Sequence, residues 1–96
     1  MIMYYVYVLQ SEPDTGLYIG FSTDLKQRLK QHQDGESRAT SHRGPWKLIY
    51  YEAYSMRQDA LGREKFLKSG AGRKHLAKQC RHHFEKNPPR GQSDGL

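Results

Sequence analysis

From Met3 to Leu9 every position is apolar or aromatic, in a chain only 35% of whose residues are hydrophobic. Such a run is too short for a core helix and is rich in Val and Tyr, so it reads as a strand in the centre of a sheet. Pro13, Asp14 and Gly16 mark a turn after it. Leu17 to Phe21 reads as a second strand, and the short link makes an antiparallel hairpin. Trp46 to Tyr54 supplies a third strand of aromatic and aliphatic residues. Three strands cannot bury both of their faces alone, so helices must cover at least one.

Three helical segments are available. The first runs from about Asp24 to Gln33, capped by Ser22 or Thr23, with Asp24 in the first turn where the dipole favours an anion, and stops at Asp34-Gly35. Residues 35–45 are Gly, Ser, Thr, Arg and Pro in large part and read as a loop. Ser55 opens the second helix, with Gln58 three residues on completing a capping box, and Ser69-Gly70 ends it. The third spans Gly72 to Phe84, with Leu76, Cys80 and Phe84 at helical spacing, and Asn87-Pro88-Pro89 stops it. The expected fold is α+β: a three-stranded, mostly antiparallel sheet flanked by three helices in the order β-β-α-β-α-α. One domain over residues 1–86 and a disordered tail over 87–96 complete it.

No run of about 18 apolar residues exists, which excludes a membrane-spanning helix. The first residues lack a charged segment followed by an apolar one, so no signal peptide is expected. A single cysteine, Cys80, excludes an internal disulfide framework and fits a reducing, cytoplasmic setting. Charge is more informative. Residues 1–62 hold seven Lys/Arg against seven Asp/Glu, whereas residues 63–96 hold nine against three, so the whole formal charge of +6 lies in the last third. A neutral body with a basic end points to a polyanion partner, with Arg73, Lys74 and Lys78 as candidate phosphate contacts.

Several polar residues fall where an ordinary core would have apolar ones. Leu25, Arg28, Leu29 and His32 share one stripe of the first helix, and Ala60, Leu61, Glu64 and Leu67 share one stripe of the second. A carboxylate in such a stripe needs a partner. Arg28 is one possibility; a divalent cation with its waters is another, since magnesium is commonly held by one carboxylate plus substrate oxygens. Tyr7 and Tyr18 lie on paired strands. Two phenols, an arginine, a histidine and a carboxylate are a sufficient set for phosphodiester hydrolysis. An Arg can hold the non-bridging oxygens, a metal can stabilise the leaving oxygen, and a Tyr beside His and a cation can act as base if its pKa of about 10 is lowered. Thr40 and His42 sit in the basic loop, either within reach of a phosphate or simply solvated.

Tyr5-Val6-Tyr7, Tyr18-Ile19-Gly20, the run Thr23-Asp24-Leu25 through Arg28 and His32, and Arg63-Glu64-Lys65 together resemble the GIY-YIG nuclease superfamily over roughly residues 3–80. The likeness is to its small stand-alone bacterial members and to the catalytic domain of the excision-repair nuclease subunit. It implies the same α+β fold and a magnesium- or manganese-dependent endonuclease acting on DNA, in repair or recombination. By resemblance Tyr7 is the general base or orients it, Tyr18 positions water and phosphate, Arg28 is the catalytic arginine, His32 supports Tyr7 and Glu64 binds the metal. Phe66 to Arg73 also looks typical of the small members, and its turn glycines are expected to offer helix N-terminal amides to a phosphate. A non-catalytic nucleic-acid-binding module is the alternative, and a partner protein that supplies targeting is compatible with either. The five site residues are expected to converge on one cleft.

Overall fold

The computed structural model describes residues 1–90. Its strands are β1 (Tyr4–Ser11), β2 (Leu17–Ser22) and β3 (Trp46–Tyr54), and its helices are α1 (Leu25–Gln33), α2 (Arg57–Leu67), α3 (Gly70–Gln79) and α4 (Arg81–Lys86). The sheet order is β2-β1-β3, antiparallel throughout, so β1 is central. That is why its sequence is apolar on both faces. Tyr7 lies opposite Gly20 on β2 and Tyr51 on β3.

The two faces of the sheet bury different cores. On one, Tyr7, Leu9 and Trp46 pack with Tyr18, Leu48 and the α1 residues Leu25 and Leu29. On the other, Val6, Val8 and Ile19 pack with Ala60 and Leu67 of α2 and Leu76 of α3. Helices therefore cover both faces, α1 one and α2 with α3 the other. Leu61, expected on the inward stripe of α2, is exposed.

Local signals differ from expectation at several ends. Asp24, rather than Ser22 or Thr23, caps α1, its Oδ1 accepting from the Gln27 amide at 3.1 Å. The Ser22 hydroxyl instead accepts from the Asp24 amide at 2.9 Å and so shapes the turn into the helix. The capping box at Ser55 and Gln58 does not form: α2 begins after Met56, which supplies no side-chain cap. The third expected helix is two. Cys80 leaves the helical region (φ −111, ψ 33), ending α3 and starting α4. The redirected α4 brings His83 Nε2 to 2.7 Å from Gln10 Oε1 on β1.

Of the expected tail, residues 87–90 run back to the β1–β2 turn, where the Asn87 carbonyl accepts from Gln10 Nε2 at 3.0 Å and the Arg90 amide donates to Thr15 O at 3.2 Å. Residues 91–96 lie outside the described residues. Among the described residues, no helix is long and apolar enough to cross a membrane.

Candidate active site

Gly20 determines where Tyr7 ends up. A Cβ on Gly20 would overlap the hydroxyl and ring carbon of Tyr7 and press on the Tyr18 ring. With no side chain there, the Tyr7 ring lies across β2 and its hydroxyl ends near the outer edge of the sheet. The residue is fully buried. Tyr18, two positions before Gly20, stands on the same face, its ring centroid 6.4 Å from that of Tyr7.

α1 closes this face. His32 is buried at 1% exposure, with its Nε2 2.8 Å from the Tyr7 hydroxyl and its ring 5.0 Å from that of Tyr18. Its other nitrogen, Nδ1, lies 2.8 Å from Thr40 Oγ1. Burial, and secondarily the charge of Arg28, hold the imidazole down at a pKa of about 4, so it is neutral at pH 7. Arg28 is half-buried one turn earlier. Its guanidinium donates to Gln31 Oε1 at 2.9 Å and stands beside the Tyr7 and Tyr18 hydroxyls. Burial raises the Tyr7 pKa; the hydrogen-bonding Arg28 pulls it down without overcoming that effect. The lowered phenol anticipated from the residue types is therefore not present: Tyr7 is protonated at neutral pH.

Glu64 reaches the site from the far side. It belongs to α2, which packs on the opposite face of the sheet from α1. Its charge is the least of the influences on the Tyr7 pKa, which it helps to raise. α2 lies against the edge strand β2, with the Arg57 guanidinium 5.2 Å over the Phe21 ring. The expected single cleft is therefore not what the fold presents: Tyr7, Tyr18, Arg28 and His32 come together on the face covered by α1, and Glu64 is carried by the helix on the other face. Glu64 does not pair with Arg28. Its ion pair is with Lys68 at 3.2 Å, and its side chain keeps 20% exposure. Among the described residues, no group of three or more His, Cys, Asp or Glu side chains could enclose a metal. A single half-buried carboxylate suits magnesium or manganese bound mainly through water and substrate oxygens.

Two groups lie elsewhere or behave differently. Lys74 and Lys78 are exposed on α3, one helical turn apart. Arg73 is half-buried, and its Nε is sealed from solvent with no hydrogen-bond partner among the described residues. Of the turn glycines expected to offer amides to a phosphate, Gly72 does not. The Ser69 hydroxyl takes the Gly72 amide at 3.1 Å, and Gly72 is buried where a Cβ would overlap the Phe66 carbonyl. It is a close-packing glycine that lets α3 fold onto the end of α2.

Sequence reasoning missed two features. Thr40, read as a loop residue, is 1% exposed. Its only signal was a small polar residue a few positions before a buried Trp. Glu52 was not singled out at all. It accepts from Tyr50 and Tyr54 and pairs with Arg63 Nε at 2.9 Å and Nη2 at 3.0 Å, tying α2 to β3 beside Glu64. An acidic residue in an aromatic strand, with an arginine next to the candidate metal ligand, was the available clue.

Paired strands that set a phenol over a glycine, a helix bringing Arg and His to it, and a carboxylate from the next helix match a known constellation. The chain belongs to the GIY-YIG catalytic domain family, whose model matches residues 3–78. Within that family it is similar to small proteins named UPF0213. One from Clostridium perfringens is 39% identical over 67 residues, 69% of this chain and 71% of the relative. One from Streptococcus agalactiae is 42% identical over 65 residues, covering 67% and 73%. The solution structure of the UPF0213 protein BH0048 from Bacillus halodurans is 28% identical, with a TM-score of 0.53 over 99% of this chain and 97% of that one.

Proposed function

We propose that this protein is a metal-dependent endonuclease that hydrolyses phosphodiester bonds in DNA. The observation that carries the reading is the buried Tyr7–His32 hydrogen bond at 2.8 Å with the Arg28 guanidinium beside it. A fold needs neither a phenol–imidazole pair nor an arginine there, and an apolar pair would cost less to bury. Hydrolysis has a use for each. Arg28 offers charge to the non-bridging oxygens of the phosphate. Tyr7 accepts a proton from the attacking water as it passes its own to His32, which is neutral and presents a ring nitrogen 2.8 Å from the phenol. Tyr18, with its ring 6.4 Å from that of Tyr7 and 5.0 Å from that of His32, would position water and phosphate beside them. Glu64 would hold magnesium or manganese, and the ion, when bound, would stabilise negative charge on the departing oxygen.

Nicking of supercoiled plasmid and cutting of flap and branched oligonucleotides, with magnesium or manganese, test the reading. Cleavage that falls at least a hundredfold in Tyr7→Phe and in Arg28→Ala is expected. The rival, a nucleic-acid-binding module that keeps the fold without the chemistry, draws support from the raised Tyr7 pKa. Binding with no cleavage of any of these substrates by the wild type would establish the rival.

A further inference from the structure

Thr40 is a buried polar residue in a loop whose neighbours Glu36, Arg38, Ala39 and His42 are exposed. Its backbone is pinned: its amide donates to Ser37 O at 3.1 Å, and its carbonyl accepts from Trp46 Nε1 at 3.0 Å and from the Arg43 amide at 3.2 Å. The hydroxyl has two neighbours: Ser37 O, to which it can donate at 3.4 Å, and His32 Nδ1 at 2.8 Å. A hydroxyl has one proton. With that proton directed at the Ser37 carbonyl, the hydroxyl offers only lone pairs to the imidazole, and Nδ1 then carries the hydrogen. The neutral ring then presents a bare Nε2 to the Tyr7 hydroxyl.

We infer that Thr40 is a positioning residue that fixes the His32 tautomer and so makes His32 the acceptor of the Tyr7 proton. The inference rests on the phosphodiesterase reading and deepens it. The order of events is directional. An O–H bond of water breaks as its oxygen attacks phosphorus, and that proton goes to the Tyr7 oxygen. The phenolic O–H breaks and an N–H forms at His32 Nε2, while the bond from phosphorus to the leaving oxygen breaks, its electron pair going to that oxygen, which takes a proton from solvent. After product leaves, the extra proton returns from Nε2 through Tyr7 to solvent. In the other tautomer Nε2 already bears hydrogen, donates to the Tyr7 oxygen and blocks this path. A hydroxyl in place of a methyl at residue 40 thus chooses between a working and a blocked relay.

Long-range proton–nitrogen NMR of the full chain labelled with 15N reads the tautomer of His32 directly. The wild type and Thr40→Ser are expected to show hydrogen on Nδ1. Thr40→Val, which keeps the shape but cannot accept, is expected to lose that preference. In parallel, Thr40→Val should lower kcat on a cleaved oligonucleotide roughly tenfold or more with KM unchanged, and Thr40→Ser should restore it. A merely structural Thr40 would lower the melting temperature of the valine variant and leave the tautomer alone. Hydrogen on Nε2 in the wild type overturns the inference even if Thr40→Val does not fold. An unchanged tautomer in a folded Thr40→Val does the same. Absence of cleavage by the wild type, with the NMR result as expected, instead removes the phosphodiesterase reading and the relay with it.

Discussion

Tyr7 is buried so deeply that its phenol resists ionisation, and its partner His32 resists protonation for the same reason. The two shifts work together: the pair stays neutral until a proton is moved along it. The His32 shift has a consequence for stability. Its folded pKa, about 4, lies below the ordinary 6.5, so in acid the unfolded chain takes up a proton before the folded one does. This stabilisation is complete above pH 6.5 and is lost as pH falls toward 4, by roughly 3 kcal/mol at most. Glu52, held at about 2 against an ordinary 4.5 by Arg63, Tyr50 and Tyr54 despite its burial, extends the loss to lower pH. Urea denaturation between pH 7 and pH 3 should show stability falling continuously, and His32→Gln should flatten the upper part of the curve. At Glu64 the exposed i,i+4 partner Lys68 means that little stability is at stake. Glu64→Gln should therefore abolish cleavage while changing unfolding free energy by under about 1 kcal/mol; a plasmid-nicking assay and a urea titration on this variant check both halves. The anomaly of Arg28, His32 and Glu64 was legible because each interrupts an apolar stripe. The direction of the Tyr7 shift was not, since it depends on how completely Gly20 and α1 enclose the ring.

Among the elements, the strands were the easiest to read and the helix ends the hardest. Trp46–Tyr54 is a strand from its first expected residue to its last because aromatic and aliphatic residues dominate it and no Gly or Pro breaks it. The break at Cys80 was hidden, since Leu76, Cys80 and Phe84 continue the helical spacing across it. Only the pull of His83 toward Gln10, a partner 73 residues away, marks the change of direction. The same holds for α2. Its orientation comes from Arg63, which pairs with Glu52 on β3 and whose Nη2 lies 2.8 Å from His75 Nε2 on α3. Arg63→Met should leave Glu52 charged and poorly compensated, lowering stability by roughly 2–4 kcal/mol. Because Glu64 is the next residue, manganese affinity measured by calorimetry should fall in the same variant, and by less in Arg63→Lys. Gly72→Ala should be as damaging by a different route, since its methyl would meet the Phe66 carbonyl and lift α3 from α2.

At the scale of the molecule, the charge excess and the site come from different parts of the chain. The excess positive charge lies in residues 63–96, while four of the five site residues, Tyr7, Tyr18, Arg28 and His32, lie in the neutral first part and only Glu64 in the basic one. Affinity and chemistry should therefore separate. Replacing Arg73, Lys74 and Lys78 together with Gln should weaken binding to all sequences alike and flatten its dependence on salt. Fluorescence titration of labelled oligonucleotides across a salt series measures both, and cleavage at saturating enzyme should be spared. The two-sided arrangement of the site was the part least available from sequence. Helical stripes say which residues face a sheet but not which side of it each helix covers, and here α1 and α2 take opposite sides. Tyr18 and Gly20 of that site belong to β2, a strand with one neighbour only. An unpaired edge is ordinarily where sheets of two molecules zip together. In this protein the same backbone borders the reaction centre, so a second chain docking along β2 would act as a plug. Assembly through β3, at the opposite margin, would leave the entrance open.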